Sequence, residues 1–253
     1  MSTVIDLTGK VALITGSSQG IGAQMARTFH HAGATVVINH PGIGPTGADA
    51  AQLTAEFNAA RPGSAAVFAA DVAQAAAVQQ MMQAVKLQLG GIDFLINNAA
   101  ILRDRTLAKM SSDDWQSVMD VNLTGVFHCC KFGLEIMRDG GAVVSLGSIA
   151  AIQGFFGQAN YAAAKAGVQA MMRVLAREAA RRSIRANAIA PGVIDTAMAA
   201  TIPERARAEM LRNIPLARLG TPEEVANVAL FLCSPLASYV SGQTIEVNGG
   251  WRG

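Results

Sequence analysis

The chain has 253 residues, 51% hydrophobic and 15% charged, with a net charge of +2, which suits one large α/β domain with a substantial core. Charge so close to balance, with no dense Lys/Arg cluster, excludes phosphate neutralisation as a basis for binding nucleic acid or a membrane surface. Cys129, Cys130 and Cys233 are odd in number and lack metal-ligand spacing, so the expectation is no disulfide framework, no metal site and a reducing cytoplasm.

In chain order, short β-branched runs alternate with long helical patterns, as βαβ units on a parallel sheet require. The patterns predict strands over 11–15, 35–39, 65–69, 94–97, 141–146, 185–189 and 244–247. Helices are predicted over 21–32, 48–60, 75–89, 113–138, 159–182 and 223–233. No Pro/Gly/Ser-rich linker divides them, and no segment reads as a leader or a membrane span. The expectation is a single Rossmann-type domain over 1–253, a doubly wound parallel sheet of about seven strands with helices on both faces. Ligands of such sheets sit beyond the carboxyl ends of the strands, so the residues there carry the functional reading.

The first strand runs into "TGSSQGIG", Thr15 to Gly22. Gly16, Gly20 and Gly22 permit a tight turn and close backbone approach, while Ser18, Gln19 and Ile21 bring amides and a helix N-terminus towards a pyrophosphate. The spacing is not GxGxxG; a strand before and a helix after carry the reading. The second strand ends in "VVINHPG", with Asn39 and His40 where a carboxylate would accept from a ribose 2′-hydroxyl. Without that carboxylate a 2′-phosphate meets no like charge, which leans the site towards NADP(H) over NAD(H). No arginine supplies the counter-charge, and the alternative is that both residues simply end a strand.

Six motifs now stand in order: "TGSSQGIG", "NNAA" from Asn97, Asn122, Ser148, "YAAAK" from Tyr161 to Lys165, and "PGVIDT" from Pro191 to Thr196. Together they resemble the short-chain dehydrogenase/reductase family over nearly the whole chain. "GQANYAAAKAG" and the closing "GQTIEVNGG" are most similar to 3-oxoacyl-acyl-carrier-protein reductases and related ketone reductases. The resemblance implies hydride exchange between a nicotinamide and a ketone or secondary alcohol. The alternative is a dinucleotide sensor that has lost the chemistry, but such relatives lose the tyrosine or lysine, and both are here.

Tyr161 and Lys165, four apart on a helix, share one face, with only alanines between them. A free phenol has a pKa of about 10; a neighbouring cation lowers it by roughly 1–3 units, and an oxidised nicotinamide adds a second positive charge. Lys165 is therefore expected to make Tyr161 a general acid/base, and by resemblance to hold the nicotinamide ribose. Ser148 is expected to hydrogen-bond the substrate oxygen; Ser145, earlier in the strand, reads as packing. Asn122 is a poor mid-helix residue without partners, and the resemblance gives it a kink and a water leading to Lys165. By the same resemblance Asp71, with Val72, meets the adenine edge, although Asp71 is also a good N-cap. Asn97 steadies the adenosine side of the pocket, with Asn98 and Ala99 also at the cofactor. Pro191, Gly192, Ile194 and Thr196 hold the carboxamide.

For substrate, Phe155 and Phe156 are expected to form an apolar wall, alongside Gln158, Val193 and Met198. A lid is expected at about 196–214. The two long helices are apolar over most of their circumference, and the resemblance makes them the contacts of a homotetramer, with His128, Cys129 and Cys130 as interface packing. An acyl carrier protein would need basic residues before the strand at 141–146. The connection reads "MRDGGA", which leaves a carrier-borne 3-oxoacyl thioester and a free small-molecule ketone or alcohol both open.

Overall fold

The computed structural model describes residues 4–197 and 204–251. All seven strands form one parallel sheet in the order β3-β2-β1-β4-β5-β6-β7. In chain order the elements are β1 (Val11–Ile14), α1 (Gly20–His31), β2 (Thr35–His40), α2 (Thr46–Ala60), β3 (Ala65–Ala69), α3 (Ala75–Leu89) and β4 (Ile92–Asn97). There follow α4 (Ser112–Met119), a π-helical segment (Asp120–Thr124), α5 (Gly125–Ile136), β5 (Met137–Leu146) and the short α6 (Ala150–Gln153). The chain continues through α7 (Ala159–Glu178), β6 (Arg185–Pro191), α8 (Glu204–Arg212), α9 (Pro222–Cys233) and β7 (Thr244–Val247).

Two-residue periodicity sends alternate strand side chains to opposite faces. Ala12, Ile14, Val36 and Ile38 enter one core with Phe29 of α1, Phe57 of α2 and Leu232 of α9. Val11, Leu13 and Val37 enter the other with Met82 of α3, Cys129 of α5 and Met172 of α7. Cys129 and Cys130 thus pack inside the chain, correcting their expected interface role. Both faces being covered explains the apolar runs Val11–Ile14, Val36–Ile38 and Ala142–Val144 in the middle of the sheet.

The predicted helix over 113–138 is interrupted. Ser111 opens α4 with a capping box closed by Asp114, and the ladder then widens to π geometry at Asp120–Thr124 before α5. β5 is longer than predicted because Arg138, Asp139 and Gly140 continue in strand, with the register against β4 shifting between Ile92 and Phe94. β1 sits beside β2 and β4, so the chain winds in opposite directions from this line. The switch point opens a crevice at the carboxyl ends of β1 and β4.

At the opposite end of the strands, Asp93 is buried and ties three segments. Its carboxylate accepts from Lys10 Nζ at 3.1 Å, Arg138 at 2.6 Å and the Val11 amide at 2.9 Å. No described helix is long and apolar enough to cross a membrane.

Candidate active site

The crevice floor is the loop between β1 and α1. Gly16 has φ +60°, and a side chain there would begin 2.8 Å from Ala99 Cα. Gly22 is tighter still: an added Cβ would lie 2.5 Å from the Gly16 carbonyl oxygen and 2.8 Å from Ser17 Cα. The loop is fastened from both neighbouring strands. Asn98 Nδ2 donates to the carbonyls of Thr15 and Gly16 at 2.9 and 3.0 Å, and Thr15 Oγ1 accepts from the Asn98 amide at 3.0 Å.

Asn39 Oδ1 accepts from the Gly16 amide at 3.2 Å, and its Nδ2 donates to the Ala70 carbonyl at 3.0 Å. With 1% exposure, the Asn39 side chain buttresses the loop from inside, which corrects its expected contact with a cofactor. His40 stands at the rim, its Nδ1 accepting from the Gly42 amide at 3.1 Å.

The N-cap of α1, Gln19, makes no side-chain cap bond, and the first turn holds no acid; α4 and α9 by contrast carry full capping boxes. A helix start left without a side-chain acceptor, behind a glycine cradle with no room for a Cβ, fits an anionic pyrophosphate. Asp71 Oδ1 accepts from the Ala73 amide at 3.0 Å, while the N-cap of α3 is Gln74, so the capping half of the Asp71 expectation fails. Val72 is buried, and a Cβ on Gly125 would meet its side chain at 2.7 Å. Only its backbone can face the crevice.

On the other side of the switch point, α7 presents Tyr161 and Lys165 together, the ammonium 5.6 Å from the phenol ring centroid. Lys165 is 2% exposed and donates to the Leu146 carbonyl at 2.7 Å. Burial pulls its pKa down from 10.5 to about 8. Burial also pushes the Tyr161 phenol up to about 12; a hydrogen bond with the Ser148 side chain opposes this, and the Asp104 carboxylate adds to it. Without a nicotinamide's charge beside it the phenol is thus held above its ordinary value, mainly by burial, where a lowered one was expected. Ser148 Oγ accepts from the Ala150 amide at 3.1 Å. Ser145 is buried and accepts from Asn97 Nδ2 at 3.0 Å, consistent with packing.

Asn122 lies in the π segment, fully buried, and grips Ile101 twice: Oδ1 accepts from its amide at 2.8 Å and Nδ2 donates to its carbonyl at 2.9 Å. These bonds reach across the chain and not along the helix, so the local helix bond does not describe it, and the π segment supplies the expected kink. A π bulge does displace main-chain carbonyls from the helix ladder.

The turn at Pro191 and Gly192 is held by β7: the Gly192 amide donates to Val247 at 2.9 Å. Ile194 is buried and bridges to Gly220, and Thr196 Oγ1 donates to the Ile194 carbonyl at 3.4 Å. Phe155 meets Trp251 edge-on with centroids 5.4 Å apart, and Val193 packs against the same cluster. Phe156 is 92% exposed, correcting its role as an inner wall; it forms the outer lip of a cavity of about 230 Å³ shared with Arg105, Leu107, Phe155 and Ala162. Gln158 Nε2 donates to Asp104 at 3.0 Å, so it braces a loop. Met198 lies outside the described residues, and within the expected lid the described helix is α8.

Asp104, Thr15 and Gln169 were not singled out from sequence. Gln169 carried a signal: it is a polar residue four after Lys165, on the same face of an apolar helix.

A glycine cradle at a switch point, facing a Tyr/Lys/Ser group across the same crevice, defines a dinucleotide-dependent oxidoreductase of the Rossmann class. The family profile described as Enoyl-(Acyl carrier protein) reductase matches residues 16–252. The chain is 42% identical over 246 residues to a 3-oxoacyl-[acyl-carrier-protein] reductase of Thermotoga maritima, covering 96% of this chain and 98% of that protein. It is 44% identical over 248 residues to the enzyme of that name from Synechocystis sp., covering 96% and 97%.

Among solved structures, a short-chain dehydrogenase/reductase (glucose/ribitol dehydrogenase) from Brucella melitensis superimposes with TM-score 0.93 at 34% identity, covering 99% of this chain and all of that one. A metagenomic blue fluorescent protein in complex with NADPH does so with TM-score 0.93 at 34% identity, covering 98% and 100%. The chain belongs to the short-chain dehydrogenase/reductase family. It is an NAD(P)-dependent oxidoreductase, and the alternative of an inactive dinucleotide sensor finds no support.

Proposed function

We propose that the protein reduces the ketone of a 3-oxoacyl thioester to the 3-hydroxy compound, with Tyr161 as proton donor and NADPH preferred. The observation that carries this is the clustering of the Tyr161 phenol, the Ser148 hydroxyl and the Lys165 ammonium beside the glycine cradle. The relatives named 3-oxoacyl-[acyl-carrier-protein] reductase support the substrate class.

The cofactor, when bound, supplies the hydride. Gly16, Ser18, Gln19, Gly20, Ile21 and Gly22 would hold its pyrophosphate, and Pro191, Gly192, Ile194 and Thr196 its carboxamide end. Asp71, Val72, Asn98 and Ala99 would border the adenosine, with His40 at the 2′-position; the absence of a carboxylate there supports NADPH, as does the NADPH complex of a structural neighbour.

Tyr161 gives its proton to the substrate oxygen as charge grows there, while the Ser148 hydroxyl donates a hydrogen bond to the same oxygen. Lys165 keeps a positive charge behind the phenol as the proton leaves. Asn122, through its hold on Ile101 and a displaced backbone carbonyl, shapes the wall behind Lys165. The acyl chain would enter past Phe155, near Val193, with Phe156 at the outer lip.

Exposed Phe127 on α5 and Val174 on α7 support a homotetramer built on those helices. For an acyl carrier protein the support is thin. Arg138 is engaged by Asp93, and Arg182 by Asp139 at 2.8 Å and by the Leu134 carbonyl at 2.7 Å. A short thioester such as acetoacetyl-CoA is therefore the first substrate to try, with carrier-borne chains second. The four-arm assay crosses NADPH or NADH with a 3-oxoacyl thioester or a cyclic ketone, following reduced-nicotinamide absorbance. Turnover that survives Tyr161→Phe would refute the assignment, as would cofactor binding without reduction of any carbonyl.

A further inference from the structure

The face of α7 that carries Tyr161 and Lys165 continues one turn further to Gln169. All three side chains engage one short segment, the end of β5 and the residues just after it. The Ser148 side chain is near enough to Tyr161 to lower the phenol pKa, Lys165 donates to the Leu146 carbonyl, and Gln169 Nε2 donates to the Ser148 carbonyl at 3.0 Å. Gln169 is 6% exposed, one turn beyond two polar side chains, Tyr161 and Lys165, that belong to the reaction.

Between the two gripped carbonyls lies Gly147. A Cβ there would fall 2.8 Å from Gln169 Nε2 and 2.9 Å from its Cγ, so the glutamine occupies the volume a side chain at 147 would need. The far side of the segment is fixed by β6: the Gly147 amide donates to Ile189 at 2.7 Å and the Ile149 amide to Pro191 at 3.1 Å. Ser148 is thus held from β6 through its neighbours' amides and from α7 through its own carbonyl. Removing the α7 hold leaves the Ser148–Ile149 peptide fixed on its amide side alone, by Pro191, so that it can tilt and shift Oγ relative to the phenol.

We propose that Gln169 is a positioning residue for the reaction, fixing the Ser148 peptide so that its hydroxyl points at the oxygen Tyr161 protonates. This rests on the reading of Ser148 as the residue that bonds the substrate oxygen. The glutamine touches neither substrate nor cofactor; its effect runs wholly through Ser148.

The test is a double-mutant cycle on the full chain, with NADPH and acetoacetyl-CoA as probes. Gln169→Met keeps the length and apolar stem and deletes the donor. It is expected to lower kcat roughly tenfold, as displacement of a reacting group by a fraction of an ångström does, with cofactor Kd and KM within about twofold of wild type. In a Ser148→Ala background the same change should cost less than about twofold, because the hydroxyl it aims is gone.

A Gln169→Met enzyme with unimpaired kcat overturns the proposal, and so does an equal loss with and without Ser148, which would mark a general packing effect. If Gln169→Met does not fold, Gly147→Ala, whose methyl displaces the glutamine, takes its place in the cycle: a kcat loss that vanishes without Ser148 supports the proposal, and an unchanged kcat or an equal loss overturns it. Should Ser148→Ala alone retain full turnover, it is the reading of Ser148 that falls.

Discussion

The Lys165 ammonium lies 5.6 Å from the centre of the Tyr161 ring and is bonded to the Leu146 carbonyl behind it. Among the described residues no carboxylate pairs with it. A buried, unpaired amine costs stability, and its lowered pKa reports that cost. Because the folded value of about 8 lies below the ordinary 10.5, the unfolded chain binds this proton more tightly. The cost is complete below about pH 8 and fades as the pH climbs towards 10.5. Lys165→Met should therefore stabilise the fold at neutral pH, by on the order of 3 kcal/mol, while abolishing turnover. Thermal unfolding near pH 7 and pH 10 checks it: the gain should shrink at the higher pH.

The phenol's neighbours make opposite predictions for pH–rate profiles. With its pKa pushed up to about 12, Tyr161 holds its proton through the neutral range, so ketone reduction should be flat there and alcohol oxidation should rise with pH. Asp104 raises the phenol pKa and Ser148 lowers it. Asp104→Asn should then move the oxidation limb to lower pH, and Ser148→Ala should move it higher while also slowing the reaction. Initial rates in both directions across pH decide the matter, and a limb that stays put in both variants would assign it to another group.

Gly22→Ala places a methyl 2.5 Å from the Gly16 carbonyl oxygen, against backbone that cannot yield. The cradle must deform, and the cofactor Kd, read by nicotinamide fluorescence, should rise more than about tenfold, with Tm falling by several degrees.

Asp93 lies at the far end of the strands, and Asp93→Ala should leave cofactor Kd and KM unchanged. It should nevertheless lower stability by about 2–4 kcal/mol, since the Val11 amide and two cations lose a buried acceptor together. Denaturant titration alongside steady-state kinetics separates the two effects.

The sheet and its helices were legible because both of their signals are local: short β-branched apolar runs for buried parallel strands, and long helical patterns between them for the helices. The Tyr161–Lys165 pair was legible for the same reason, since i,i+4 spacing fixes proximity. What escaped depends on contacts across the chain. The kink at Asn122 was expected from the resemblance, but its two bonds to Ile101 were not, and Asn39 turns inward because the Gly16 amide and the Ala70 carbonyl need partners. Phe156 points outward although its neighbour Phe155 finds Trp251. The lowered phenol pKa was argued from the lysine and an oxidised nicotinamide, whereas burial, with Asp104, pushes the phenol up.

The sheet order has a kinetic corollary. β1 lies against β4 rather than beside β2 alone, and Asp93 closes a bond to Val11 across 82 residues of chain. Everything from the glycine turn to Asn98 must therefore be synthesised and collapsed before the crevice has two walls. Such distant closure slows the search for the native state. A nascent or truncated chain ending within β4 would display a sticky half-sheet and bind no dinucleotide, so chaperone demand should concentrate in that window of translation.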